Sequence, residues 1–183
     1  MNPFQQIKSE IVRAVSKVRN DLPRIVGKTA VDHYKENFDK EGFVNGGVEK
    51  WKDVKRRDAK SPWYGFEYKG DRTTHRLKKK KGAKGYQSGG RNKTNFSNAA
   101  TKRQILSGST HELKRSLRYV AGTDQVAIVS DKPYAEVQNE GGAIKIFGRG
   151  SVMLPARPFV GESIELDKKI SDETDKLMDN LFK

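Results

Sequence analysis

The chain contains no cysteine, which excludes disulfides, thiolate metal sites and thiol catalysis together. Histidine is scarce as well: His33, His75 and His111 stand far apart with no ligand spacing among them. Neither a metal site nor a proton-transfer constellation is expected, nor a cofactor, and the chain reads as a non-enzyme. No apolar run approaches the roughly 18 residues of a membrane span, and the opening MNPFQQIKSE lacks the basic-then-apolar pattern of a signal segment. A soluble protein assembled in a cytoplasm, without membrane contact, is the expectation. Hydrophobic residues supply only 34% of the 183 positions while charged ones supply 33%. One core of ordinary size is feasible, with part of the chain left outside it.

What the sequence has in excess is positive charge, and its position matters more than its amount. Between Trp51 and Gln104 seventeen bases face four acids, so +13 of the +14 net charge lies in one stretch. From Gly161 onward the balance reverses, with seven acids against four lysines. Such asymmetry points to a polyanion near the middle segment or to head-to-tail contacts between copies with complementary faces.

Asn2-Pro3 is a helix start, because asparagine caps free amides and proline at the first helical position lacks the hydrogen that would go unpaired. Phe4, Ile7, Ile11, Val15 and Val18 then recur at spacings of three and four, predicting a helix over about 3–19. Asn20-Asp21-Leu22-Pro23 reads as a second start, followed by a stripe of Leu22, Ile25, Val26, Ala30, Tyr34 and Phe38. Glycines 42, 46 and 47 end the helical region. Trp51 follows in a polar setting, where so large a ring plugs a core or an interface. Ser61 to Asn98 alternates aromatics with bases and glycines around Lys78, Lys79, Lys80, Lys81 and Lys84. Consecutive ammonium groups repel one another, so this run stays solvated, meets an acidic partner, or meets nucleic acid.

Ser109-Thr110-His111-Glu112 matches a capping box ahead of a short helix through Leu113 and Leu117. RYVAG and QVAIVS, joined by Gly122-Thr123-Asp124, read as one antiparallel pair; AIKIF and SVML, joined by Gly148-Arg149-Gly150, read as another. Ile164, Ile170, Leu177 and Leu181 support a closing helix with acids in its first turn. The expected fold class is α+β: a small antiparallel sheet of about four strands packed with N-terminal and C-terminal helices. The expected organisation is a single domain over 1–183, with 52–104 a basic, loop-rich insertion or arm.

The stretch Asp131 to Phe159 holds an apolar and aromatic anchor, a paired glycine and a proline-flanked arginine. The succession of Trp51, ILSGSTHELKRSL, YAEVQNEGG and LPARPFVG, closed by an amphipathic helix, resembles the virion morphogenesis or tail-completion proteins of tailed bacteriophages. Gln138-Asn139 stands where a histidine-glutamine pair is common in that family, and the stretch between Trp51 and Ile105 is longer than usual. The resemblance implies a structural virion protein that forms a ring, hexameric or dodecameric, at the neck or tail end. There it would complete the tail or join it to the head, alongside connector, neck or tail-tube proteins and near packaged DNA. Carried over, Tyr134, Ala135, Gly141 and Gly142 would shape a turn beside the sheet, and Arg157 and Phe159 would anchor the chain before the last helix. With Trp51 these are the candidate interface residues; Lys78 to Lys81 and Lys84 are candidates for DNA or an acidic partner. The alternative reading is a general nucleic-acid-binding protein acting through 52–104.

Overall fold

The first helix, α1, spans Pro3–Lys40, with the Asn2 side chain accepting the amide of Phe4 and Pro3 at the first helical position. Where the sequence predicts two helices the structure has one, and Pro23 lies inside it. Val18, Leu22, Ile25 and Val26 keep one unbroken three-and-four spacing across the proline. The stripe therefore stays in register, and packing of the later turns offsets the roughly 3 kcal/mol that an interior proline costs. Glu41 ends the helix in the left-handed conformation. The computed structural model describes residues 2–67, 96–108, 110–146 and 150–181, and these fall into two compact units: Met1–Lys52 with His111–Lys183, and Asp53–Thr110.

In the larger unit, β1 (Gly42–Val44) and β2 (Val48–Lys50) form a hairpin whose turn uses Gly46 at φ +69° and Gly47 at φ +152°. Strands this short carry no readable periodicity, and the sequence reading contains no ladder there. The two hairpins it does contain are present: β3 (Arg118–Ala121) pairs with β4 (Val126–Val129), and β5 (Gly142–Ile146) pairs with β6 (Gly150–Leu154). The expected sheet of about four strands does not form, however, because each pair stands as its own two-stranded ladder. A helix, α4 (Ala135–Glu140), intervenes between β4 and β5. It adjoins β5, whereas β3 and β4 pack on α1. The closing helix, α5 (Ile164–Leu181), also packs on α1, where Lys169 is paired with Glu36 at 3.0 Å.

The core of this unit is built on the later half of α1, with Ala30, Val31, Tyr34 and Phe38 buried alongside Val44, Leu117 and Leu166. Gly27 marks where burial of that helix begins. A Cβ placed there would stand 2.4 Å from Cδ2 and 3.0 Å from Cβ of Tyr119 on β3. Glycine is thus required for helix and strand to approach, against a helix-propensity penalty of about 1 kcal/mol. Gly27→Ala is accordingly expected to destabilise by about 1–3 kcal/mol rather than to stabilise. Thermal melts of G27A, Y119A and the double variant would check this, with the loss largely recovered in the double.

In the smaller unit the chain on either side of residues 68–95 is drawn together. Ser97 N–H donates to Gly65 O at 2.8 Å, Phe66 and Phe96 form an isolated antiparallel bridge with rings 5.5 Å apart, and Trp63 stacks edge-on against Phe66. Ser97 caps the short helix α2 (Asn98–Lys102) and also donates its hydroxyl to Glu67, which is paired with Arg103 at 2.6 Å. Arg56 donates to the carbonyl of Ala100 and Arg57 to that of Arg103. Three of the bases that make the middle of the sequence look uniformly cationic therefore hold their own unit together. Lys78, Lys79, Lys80, Lys81 and Lys84 lie outside the described residues.

The capping box runs through Ser109, which lies outside the described residues. The helix α3 begins at Glu112 and runs to Ser116, with His111 at its N-cap in the left-handed conformation and no side-chain cap bond. Glu112 is the first residue of the helix. Leu113 and Leu117 are buried, as their place in the pattern predicts.

Candidate assembly surface

Trp51, Arg157 and Phe159 come together inside the larger unit. The Trp51 ring meets Phe38 edge-on at 5.7 Å, and its indole N–H donates to Pro158 O at 2.7 Å. Phe159 lies 5.1 Å from the same Phe38 ring. Arg157 is buried, donating from Nε to Lys52 O at 3.0 Å, while its amide donates to Gln138 O at 2.9 Å. The segment LPARPF is thus fastened to the chain beside Trp51 through backbone carbonyls that accept from a planar guanidinium and an indole.

Two asparagines complete the fastening. Asn139 Oδ1 accepts the amides of both Phe159 and Val160, at 2.9 and 3.0 Å, and its amide group donates to Val160 O. Asn37, fully buried on α1, donates to Phe159 O and accepts the amide of Val44. Neither is singled out by the sequence, because an asparagine's role here depends on partners up to 122 residues away.

Tyr134, Ala135, Gly141 and Gly142 do not shape a simple turn beside a sheet; they bracket α4. Tyr134 is its N-cap, Ala135 its first residue, and Gly141 its C-cap at φ +76°. A Cβ on Gly141 would stand 2.7 Å from Ala156 N, so this glycine admits the LPAR segment against the helix end. Tyr134 is partly exposed, its hydroxyl held above the ordinary value by burial and by the Glu112 carboxylate. Ala135 lines an open cleft of about 430 Å³ together with Leu117, Ile128, Pro133, Glu136 and Val160.

Beyond these positions, large apolar side chains face solvent at several places, among them the first half of α1 and β6. Phe4, Ile7, Ile11, Val12 and Val15 are exposed along the first half of α1, and Val152 and Met153 on β6. Phe4, Ile7, Ile11 and Val15 of the first set belong to the stripe from which the sequence predicts a helix, and burial in α1 begins only at Gly27.

His33 is the reverse case, a polar group fully inside. It is 1% exposed, and neither ring nitrogen has a partner among the described residues. Burial, with Lys169 and Lys40 nearby and only partly opposed by Glu36 and Glu165, holds its pKa below the ordinary 6.5. The unfolded chain therefore takes up this proton more readily than the folded one. The contribution is complete above about pH 6.5 and is lost as pH falls below it. The unfolding midpoint is expected to drop between pH 7.5 and 5.5, and H33L to flatten that part of the profile; urea titrations across pH would show it.

Among the described residues no group of acids and histidines is arranged to hold a metal ion, and no helix is long and apolar enough to cross a membrane. The model of the phage virion morphogenesis family matches residues 70–179, more than half of the sequence. No curated protein and no solved structure matches the chain.

Proposed function

The chain belongs to the phage virion morphogenesis family, which makes it a structural or assembly protein of the bacteriophage particle, and from that premise we propose that it forms a closed ring at the neck or tail end. In this reading several copies surround the upper end of the tail, complete the tail tube or join it to the head, and touch connector or tail-tube proteins. Assembly takes place in the host cytoplasm and the product stays in the virion, with no catalytic step. The observation that carries the reading, beside the family itself, is the solvent-facing apolar stripe on the first half of α1. A chain that acts alone rarely leaves so long a stripe in water, whereas a ring subunit covers it with a neighbour.

The lysines 78–81 and 84 are proposed to face the DNA channel or an acidic partner surface of that ring. Two measurements test the function. Particles made without this protein are expected to accumulate unjoined heads and incomplete tails by electron microscopy. Purified protein is expected to scatter light as a single closed oligomer of six or twelve copies. Joined, infectious particles in its absence would overturn the reading.

A further inference from the structure

We infer that the first half of α1 docks on the outer face of α5 of a second copy, a head-to-tail contact that rests on the ring reading and names its joint. Phe4, Ile7, Ile11, Val12 and Val15 are 56 to 73% exposed. With about 100° per residue, Phe4, Ile7, Ile11, Val15 and Val18 share one face of the helix, with Lys8 and Arg19 along one border and Glu10 and Asp21 along the other. Arg13 and Lys17 lie on the opposite side. None of these four bases has an ion-pair partner among the described residues.

The complementary surface is on the same chain. The inner face of α5 carries Leu166, Ile170 and Leu177 towards α1. Its outer face presents Ile164, 54% exposed, and Met178, 38% exposed, with Ser171 between them, Lys168, Asp172, Asp175 and Asp179 along one side and Asp167 along the other. None of those aspartates is salt-bridged among the described residues, whereas Lys169 and Lys176 of the same helix are held by Glu36 and Glu173. What α5 offers a neighbour is therefore predominantly negative. Phe4 to Val18 and Ile164 to Met178 each span fourteen steps, about 21 Å, so the two apolar side chains of α5 stand as far apart as the ends of the α1 stripe.

Other occupants fit less well. Two copies of the α1 stripe laid antiparallel would bring Lys8 of one against Arg19 of the other, a like-charge contact. An anionic bilayer satisfies the bases but leaves the acidic outer face of α5 unexplained. Because a stripe and its partner face lie on different parts of one chain, the contact is heterologous, the kind that closes into rings.

The test uses the full chain and its mass by light scattering across concentration and salt. Ile7→Asp with Ile11→Asp is expected to weaken association about a hundredfold or more while leaving the unfolding midpoint of the free chain unchanged, since both side chains are already in water. Lys8→Asp with Arg19→Asp is expected to weaken it about tenfold, as is Asp172→Lys with Asp175→Lys, and an equal mixture of the two charge variants to recover wild-type mass. Wild-type mass in the apolar variant would overturn this joint and leave the ring reading standing. Failure of the mixture to recover would remove α5 as the partner. Unchanged mass combined with lost binding to vesicles of anionic lipid would assign the stripe to a membrane. A wild-type chain monomeric at every concentration would remove joint and self-assembled ring together.

Discussion

Phe159→Ala is expected to destabilise the free chain by about 3–5 kcal/mol, among the largest effects a single core truncation produces. Phe159 is 2% exposed and shares the Phe38 ring with Trp51. Its removal leaves a void that Phe38 and Trp51 cannot close, since Trp51 is pinned at its indole by Pro158 O. Phe159→Leu, which refills most of the volume, should recover more than half of the loss. Urea unfolding of the three proteins at a salt where the chain is monomeric would check the series. A loss below about 1 kcal/mol for the alanine variant would mean that this ring is not part of the interior packing.

Asn139→Leu should be nearly as severe, by about 2–5 kcal/mol, although it conserves shape and adds apolar surface. The substitution leaves the amides of Phe159 and Val160 without their acceptor in a part-buried place, and each such orphan costs about 1–3 kcal/mol. Asn139→Asp separates the causes. A carboxylate still accepts both amides, while losing the donations to Val160 O and to Glu140 Oε1. It should therefore lie much closer to wild type than the leucine variant does, and equal losses for the two would place the effect in packing instead. Together these two positions define one fastening: a ring fills the space and an asparagine holds the backbone that carries it.

The elements whose signals are local could be read in the chain. Asn2 and Pro3 start α1 as their chemistry predicts, both long hairpins run between their branched residues, and the stripe of α5 closes the fold. The misreadings share a physical cause. Asn20 to Pro23 carries strong local start signals, but helix continuity there is decided by packing further along, which no window of residues contains. Four short strands look like one sheet because strand-forming composition says nothing about which edges meet. The assembly residues divide similarly: Trp51 and Phe159 declare their size but not their neighbours, while Asn37 and Asn139 declare nothing until Phe159 and Val160 are placed beside them. His33 looks like any histidine on a helix, and only the tertiary surroundings leave it buried.

The hydrogen bond between Ser97 and Gly65, 2.8 Å long, has a consequence for how this protein changes over time. Two positions thirty-two apart in sequence stand shoulder to shoulder, so whatever is spelt between them enters and leaves through one doorway. The spelling there can lengthen, shorten or change sign without shifting either doorpost, since the Phe66–Phe96 bridge and the bond of Ser97 to Glu67 hold the two together on their own. Selection can thus retune what that part of the chain meets while the residues that fold the rest stay under a separate constraint.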